Sequence, residues 1–132
     1  MTTPWIQNVA ASQVAVGLHK FEEGNTVLIQ IMDPGVPFPN PKETFLETHQ
    51  FSFHDVETED SEEYTPITQE QADEIFAILE RALATGRNVV VHCYAGVYRS
   101  GAVVEVGTGL GFEDTGTYRC PNRLVLAKLR SE

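Results

Sequence analysis

The stretch from Val89 to Ser100, VVVHCYAGVYRS, decides the fold of this chain. Three consecutive valines leave neither face of a strand polar, which is typical of a strand buried on both faces of a parallel sheet. The polar residues that follow stand at the carboxyl end of that strand, where open α/β sheets bind their ligands. We therefore expect a binding loop between a buried strand and a helix.

The residue types of this loop predict what it binds. Five residues separate Cys93 from Arg99, about enough to curl the chain once with successive amides pointing inward as an anion-binding nest. The following helix adds free N–H groups and the positive end of its dipole. Gly96 supplies the backbone freedom for the curl, and Arg99 offers a fork of donors for two oxygens. Residues 93–99, called the anion loop below, are thus predicted to cradle a tetrahedral oxyanion above the Cys93 sulfur.

The remaining residues of the stretch support this chemistry. Helix N-termini and cations favour a thiolate, which is the nucleophilic form of Cys93. Ser100 is expected to donate a hydrogen bond to the sulfur, and His92 to brace the loop rather than transfer protons. Substrate contacts are predicted for the whole loop, namely Tyr94, Ala95, Gly96, Val97, Tyr98 and Arg99.

Two helices are predicted outside this stretch. Thr68 to Leu83 begins with the spacing of a capping box and ends before Gly86. Its apolar residues recur at helical spacing, as Ala72, Ile75, Phe76, Leu79 and Leu83. A last helix is predicted to begin near Pro121, because proline is tolerated in a first turn.

Strands are predicted before the long helix. β-Branched runs bounded by turn residues indicate strands over Gln13 to Leu18 and Thr26 to Ile31, and a third strand contains Phe51 and Phe53. Strands that alternate with helices indicate an α/β fold with a central, largely parallel sheet flanked by helices. The length of 132 residues fits a single domain over residues 1–132.

Composition excludes several classes of protein. Lys and Arg number 9 and Asp and Glu 19, so the formal net charge is −10 and a nucleic-acid partner is not expected. No basic residue precedes Lys20, which argues against a signal peptide, and no apolar run is long enough to cross a bilayer. Two cysteines suit a reducing compartment. We expect a cytoplasmic monomer without a membrane partner.

The stretch resembles a known signature. VVVHCYAGVYRSGA (residues 89–102) is similar to the phosphate-binding loop of the cysteine-dependent protein tyrosine phosphatases, written HC-x5-R-S/T, and the small dual-specificity branch is closest in size. FSFHDVE (residues 51–57) resembles the strand and acid loop of small bacterial-type members. GFEDTGTYRCPNRLVLAKL (residues 111–129) is similar in layout to their C-terminal helix region. The resemblance covers nearly the whole chain, weakly before Leu28.

The resemblance implies a two-step hydrolysis of phosphomonoesters, most of all of protein phosphotyrosine. Cys93 attacks phosphorus, Arg99 and the loop amides hold the oxygens, and water hydrolyses the cysteinyl phosphate, with no metal or other cofactor. An aspartate on a separate loop is the family's general acid. Asp55 is our choice because it follows the apolar strand. Asp60 is the rival, because it lies 33 residues before Cys93 (93 − 60), whereas Asp55 lies 38 before it (93 − 55).

Other interpretations remain open on the sequence alone. The rings of Tyr94 and Tyr98 either pack against loops or form a wall that selects an aromatic phosphoester. Cys120 is expected to be a buried, inert thiol, with a disulfide to Cys93 as the alternative. The negative charge predicts poor reaction with acidic phosphopeptides unless a basic rim forms from Arg119, Arg123 and Arg130.

Competing functions are also open. Phosphoserine and phosphothreonine are further candidate substrates, and a phosphoinositide, a nucleotide or an RNA 5′-phosphate is the alternative outside proteins. A rhodanese-like sulfurtransferase also presents a cysteine in a looped anion site. The last alternative is a catalytically inactive phosphate-binding module, although such modules usually lose the cysteine or the arginine, and this chain keeps both.

Overall fold

The sheet is parallel throughout and has five strands in the order β3-β2-β4-β1-β5. It is seen in a computed structural model that describes residues 2–131. The elements in chain order are β1 Trp5–Ala10, α1 Ala11–Val16, β2 Thr26–Met32, β3 Glu47–Ser52, α2 Gln69–Ala84, β4 Asn88–Cys93, α3 Arg99–Leu110, β5 Glu113–Asp114 and α4 Arg123–Arg130. The predicted α/β class with a sheet flanked by helices is confirmed.

The central strand β4 is buried on both faces. Val89 and Val91 pack into the larger core, which α2, α3 and α4 cover, while Val90 packs into a smaller core on the other face. That smaller core also contains Val14 of α1 and is lined by Phe45. Burial of β4 on both faces is thus confirmed, and it explains the three consecutive valines, since neither side of this strand meets water.

Helix α2 begins where its cap predicts. The Thr68 hydroxyl accepts a hydrogen bond from the Gln71 backbone at 3.0 Å, and the Gln71 side chain accepts one from the Thr68 backbone at 3.0 Å. Both orphan donors of the first turn are thereby satisfied. The chain leaves the helix through Gly86, whose φ of +70° is in the left-handed region.

The prediction of a strand over Gln13 to Leu18 is wrong. Residues 11–16 form the short helix α1, and Gly17 ends it with a φ of +76°. The Gln13 side chain accepts a hydrogen bond from the Ala10 backbone at 2.7 Å, which fixes the first turn. The strand lies instead at Trp5–Ala10 and was not predicted, because Gln7 and Asn8 interrupt its apolar pattern.

Parallel pairing brings four strand ends to one edge of the sheet. Ala10 at the end of β1 pairs with Cys93 at the end of β4. On the other side, β2 pairs with β4 and ends at Met32, and β3 pairs with β2 and ends at Ser52. The loops after these strands consequently meet around Cys93. Within residues 2–131, no helix combines the length and apolar character that a membrane crossing requires.

Candidate active site

The anion loop joins β4 to α3, between a buried strand and a helix N-terminus. Cys93 is the last residue of β4 and Arg99 the first of α3. The Cys93 sulfur is buried and lies 3.2 Å from the Ser100 hydroxyl oxygen. A hydroxyl at that distance is able to donate to a thiolate, and the α3 dipole favours negative charge at the same place.

The carbonyl groups of the anion loop are held outward. Four of them accept hydrogen bonds from donors outside the loop: Tyr94 O from Ala11 N (3.3 Å), Gly96 O from Asn8 Nδ2 (2.7 Å), Val97 O from Cys120 N (3.1 Å) and Tyr98 O from Asn122 N (2.9 Å). In a trans peptide, an outward carbonyl turns the next N–H in the opposite direction. The loop amides are thereby directed toward the centre of the curl, where an anion would bind.

Arg99 is anchored through one nitrogen. Its Nη1 donates to the Asp33 carboxylate at 2.7 Å and to the Phe53 carbonyl at 2.7 Å. Its Nε is buried without a partner, and within residues 2–131 no acceptor bonds Nη2. These two nitrogens form one edge of the guanidinium, which is the geometry that binds two oxygens of a phosphate.

Gly96 is required by close packing. Its φ is +74°, and a Cβ built on it would lie 2.3 Å from the carbonyl carbon of Val9 and 2.4 Å from the Ala10 nitrogen. Real Cβ atoms essentially never come that close to a backbone. The anion loop therefore packs directly on the end of β1, and only glycine fits there.

His92 lies beneath the anion loop and is fully buried. Its Nδ1 is 3.4 Å from the Cys93 carbonyl. Burial, opposed by the hydrogen bond to Cys93 and assisted by the nearby Arg99 charge, lowers the pKa of His92 to about 4. The ring is therefore neutral at pH 7, which suits a bracing group better than a proton carrier.

Asp55 is connected to the anion loop through a single residue. Asn122 Nδ2 donates to the Asp55 carboxylate at 2.7 Å, and the Asn122 backbone donates to the Tyr98 carbonyl. Asp60 is exposed, and within residues 2–131 its carboxylate makes no hydrogen bond; only its backbone N–H bonds, to the Thr58 hydroxyl at 3.1 Å. Of the two carboxylates, only Asp55 is tied to the loop.

A cavity of about 420 Å³ opens beside the anion loop. It is lined by Asp55, Glu57, Tyr98, Cys120, Pro121, Asn122 and Arg123. The Tyr98 ring is thus part of a wall, whereas Tyr94 is 72% exposed and packs on little.

One expectation about the surroundings is wrong, and the basic rim that the sequence left open is not seen within residues 2–131. Cys120 is an exposed free thiol rather than a buried one, because it lies in the open segment before α4 and borders the cavity. Arg119 pairs with Glu105 and Asp114, and Arg123 pairs with Glu57. Arg130 lines a separate cavity with Phe76 and Leu129.

Three residues of the site escaped the sequence analysis. Asp33 belongs to the sequence Asp-Pro-Gly, which is typical of a turn, so nothing in the sequence indicated that it belongs to the site. Asn122 follows a proline at a predicted helix start, so its capping role was discoverable, but its contact with Asp55 was not. Asn8 had no signal, because the strand that carries it was not predicted.

Comparisons with known proteins place this geometry in context. No protein-family model and no curated protein sequence matches the chain. Among solved structures, the chain is similar to a human tyrosine phosphatase-like serine/threonine/tyrosine-interacting protein, with a TM-score of 0.62 and 17% identity over 95% of this chain and 88% of that one. It is similar to human DUSP28, with a TM-score of 0.62 and 16% identity over 96% of this chain and 90% of that one.

A third similar structure is a mouse putative dual specificity phosphatase complexed with zinc tungstate. Its TM-score is 0.54 and its identity 18%, over 95% of this chain and 78% of that one. In each case the agreement extends over nearly all of the present chain. The chain therefore has the fold of the small cysteine-dependent phosphatases of the tyrosine and dual-specificity type.

Proposed function

We propose that the protein is a metal-independent phosphatase that hydrolyses phosphomonoesters through a cysteinyl-phosphate intermediate. One observation carries the proposal. The buried Cys93 sulfur lies at the floor of a loop whose carbonyls are held outward, beside an arginine with one free donor edge. Donors that are in place before the reaction stabilise charge where it develops, which is the largest single contribution in many enzymes.

In the first step, the Cys93 thiolate attacks phosphorus and the bond between phosphorus and the ester oxygen breaks. Arg99 Nε and Nη2 and the loop amides hold the three remaining oxygens. Asp55 gives its proton to the leaving oxygen. General acid catalysis of this kind contributes about 10²- to 10⁴-fold. The position of Asp55 in the wall of the cavity supports this role.

In the second step, water attacks the cysteinyl phosphate. The sulfur–phosphorus bond breaks, inorganic phosphate leaves, and the Asp55 carboxylate takes the proton of the water. Ser100 donates a hydrogen bond to the departing thiolate, for which its 3.2 Å distance from the sulfur is suitable. His92, neutral and buried, holds the loop and takes no proton.

Phosphotyrosine in a protein or peptide is the proposed substrate, with phosphoserine and phosphothreonine as further candidates. Support comes from the cavity, which offers the Tyr98 ring to an aromatic leaving group. Asp55 and Glu57 line the cavity, and the basic residue of its lining, Arg123, is already paired with Glu57. Phosphopeptides with basic flanking residues should therefore react faster than acidic ones, and polyanions should react poorly.

The test is hydrolysis of phosphotyrosine peptides in the presence of a metal chelator. Wild type should release phosphate, the Cys93→Ser variant should not, and a basic peptide should be cleaved faster than an acidic one of equal length at low salt. Hydrolysis of an aryl phosphate alone would preserve the chemistry and contradict the peptide substrate. A wild type that binds phosphate but cleaves no phosphomonoester would instead identify a phosphate-binding module. Transfer of sulfur from thiosulfate to cyanide would identify a sulfurtransferase.

A further inference from the structure

Asn8 is a buried polar residue of β1. It is 0% exposed, and its amide nitrogen uses both hydrogens, one toward the Gly96 carbonyl at 2.7 Å and one toward the Tyr118 carbonyl at 2.9 Å. Its side-chain oxygen is buried without a partner. An unsatisfied buried oxygen costs about 1–3 kcal/mol, so a residue that accepts this cost without a function would be unusual in a strand.

The bond to Gly96 sets the orientation of one peptide group. Because the peptide is trans, the carbonyl that Asn8 holds outward fixes the Val97 N–H toward the inside of the anion loop. The same amide nitrogen links Gly96 to Tyr118, in the segment that runs on to Cys120 and Asn122. Asn8 therefore connects the anion loop to the segment that precedes α4.

Asn8 differs from the other groups that hold the anion loop. The carbonyls of Tyr94, Val97 and Tyr98 accept bonds from backbone nitrogens, which any residue except proline supplies. Gly96 is held by a side chain alone, and it is also the residue at which the loop presses on β1. The orientation of the Val97 amide thus depends on the identity of residue 8, which a substitution is able to test.

We propose that Asn8 is a positioning residue that orients the anion loop for phosphate binding; this inference rests on the proposed function. Leucine at position 8 would keep the volume but remove both donors. The freed Gly96 carbonyl would then be able to turn, taking the Val97 amide away from the anion. Loss of one charge-assisted hydrogen bond corresponds to about a tenfold weaker affinity.

The experiment compares the Asn8→Leu variant with a matched control on the same strand, Gln7→Leu. Gln7 also makes two side-chain hydrogen bonds, to the Thr117 hydroxyl and from the Lys20 backbone, and neither of them reaches the anion loop. The measurements are the Kd of inorganic phosphate by calorimetry, the kinetics on an aryl phosphate, and urea unfolding. The Asn8→Leu variant should bind phosphate about tenfold or more weakly, whereas Gln7→Leu should remain within about twofold of wild type.

Equal phosphate affinity in Asn8→Leu and Gln7→Leu would overturn the inference about Asn8. The proposed function would still stand if the wild type hydrolyses the aryl phosphate. If Asn8→Leu does not fold, Asn8→Asp takes its place, since it preserves the shape of the side chain and keeps at most one donor. Asn8→Asp should still bind phosphate, but more weakly than the Gln7→Leu control. Wild type that binds no phosphate would overturn both proposals. Wild type that binds phosphate without hydrolysis would overturn the function alone, and the Kd comparison would then decide the role of Asn8.

Discussion

At the scale of single residues, the orientation of Arg99 is fixed by the groups that accept its hydrogen bonds. Asp33 and the Phe53 carbonyl occupy Nη1, so that Nε and Nη2 are left for a substrate. Arg99 is 4% exposed, and it forms its ion pair with Asp33, which directly follows the last residue of β2. Asp33 thereby fixes the direction of the free edge.

The Asp33→Asn substitution tests this anchoring. It removes the charge of the partner but keeps an acceptor, so the guanidinium should be held more loosely. We expect KM for an aryl phosphate to rise by about fivefold to tenfold, with a smaller change in kcat. Glu23→Gln, at an exposed turn residue, is the control and should match wild type. A KM equal to that of wild type in Asp33→Asn would contradict the anchoring.

Substitutions of Asp55 and Asp60 test which of the two carboxylates is the general acid. Asp55→Asn should lower kcat by about 10²-fold or more, because the leaving oxygen would depart without a proton. Asp60→Asn should change kcat less than about twofold, since its carboxylate is not tied to the site. The two variants are measured on the same aryl phosphate across pH 5 to 8. The reverse ranking would assign the acid to Asp60.

At this scale the sequence was most informative where the chemistry requires certain residue types at a certain spacing. The curl between Cys93 and Arg99 could be predicted because a cradle needs a nucleophile, a flexible glycine and a cation in that order. Asn8 and Asp33 could not, because each reaches the site across the sheet from a distant part of the chain. Spacing along the chain carries no information about such contacts.

At the scale of secondary structure, the residue that caps the last helix, Asn122, contacts both α4 and the acidic loop. The Asn122 side chain caps α4 by accepting a hydrogen bond from the Val125 backbone at 3.0 Å. Its amide nitrogen donates to Asp55 and to the Val56 carbonyl. One side chain thus caps the start of α4 and also holds the acidic loop.

Two substitutions separate these roles. Asn122→Asp keeps an acceptor for the cap but loses both donors and places a like charge beside Asp55, so kcat should fall by about fivefold or more with little loss of stability. Thr68→Ala removes only the cap of α2 and should lower the free energy of unfolding by about 1 kcal/mol with kcat unchanged. Urea unfolding and steady-state kinetics measure both. Unchanged kcat in Asn122→Asp would contradict the positioning of Asp55.

The elements show why some predictions succeeded. Helix α2 is long, capped and strongly periodic, so local signals agree with its packing. The strand β1 was hidden because Asn8 serves the site rather than the strand pattern, and α1 is too short at six residues for a helical period to emerge. The strand that the sequence analysis missed therefore contains Asn8, the residue that we propose to position the anion loop.

At the scale of the whole molecule, burial of His92 couples folding to pH. Its pKa is lowered to about 4 in the folded protein, against 6.5 ordinarily, so the unfolded chain binds a proton more readily. Stability is therefore full above pH 6.5 and is lost as the pH falls toward 4. The lowered pKa values of Glu47, Glu57 and Asp114 act in the same direction, but below pH 4.5.

Between pH 7.5 and pH 5, the free energy of unfolding should fall by about 2 kcal/mol through His92. Urea unfolding at the two pH values measures the change. The His92→Gln variant, which carries no titrating ring, should be less stable at pH 7.5 but should lose less of its stability on acidification. A wild-type stability that is equal at both pH values would contradict the burial of a neutral ring.

The account as a whole depends on a covalent bond between Cys93 and phosphorus. Rapid acid quenching of wild type during turnover of an aryl phosphate, followed by mass spectrometry of the peptide that contains Cys93, tests it most directly. We predict a phosphate group on Cys93, at higher occupancy in Asp55→Asn with an activated leaving group, because water attack is then slowed. Turnover that proceeds with no phosphate on Cys93, or that persists in Cys93→Ser, would contradict the central claim.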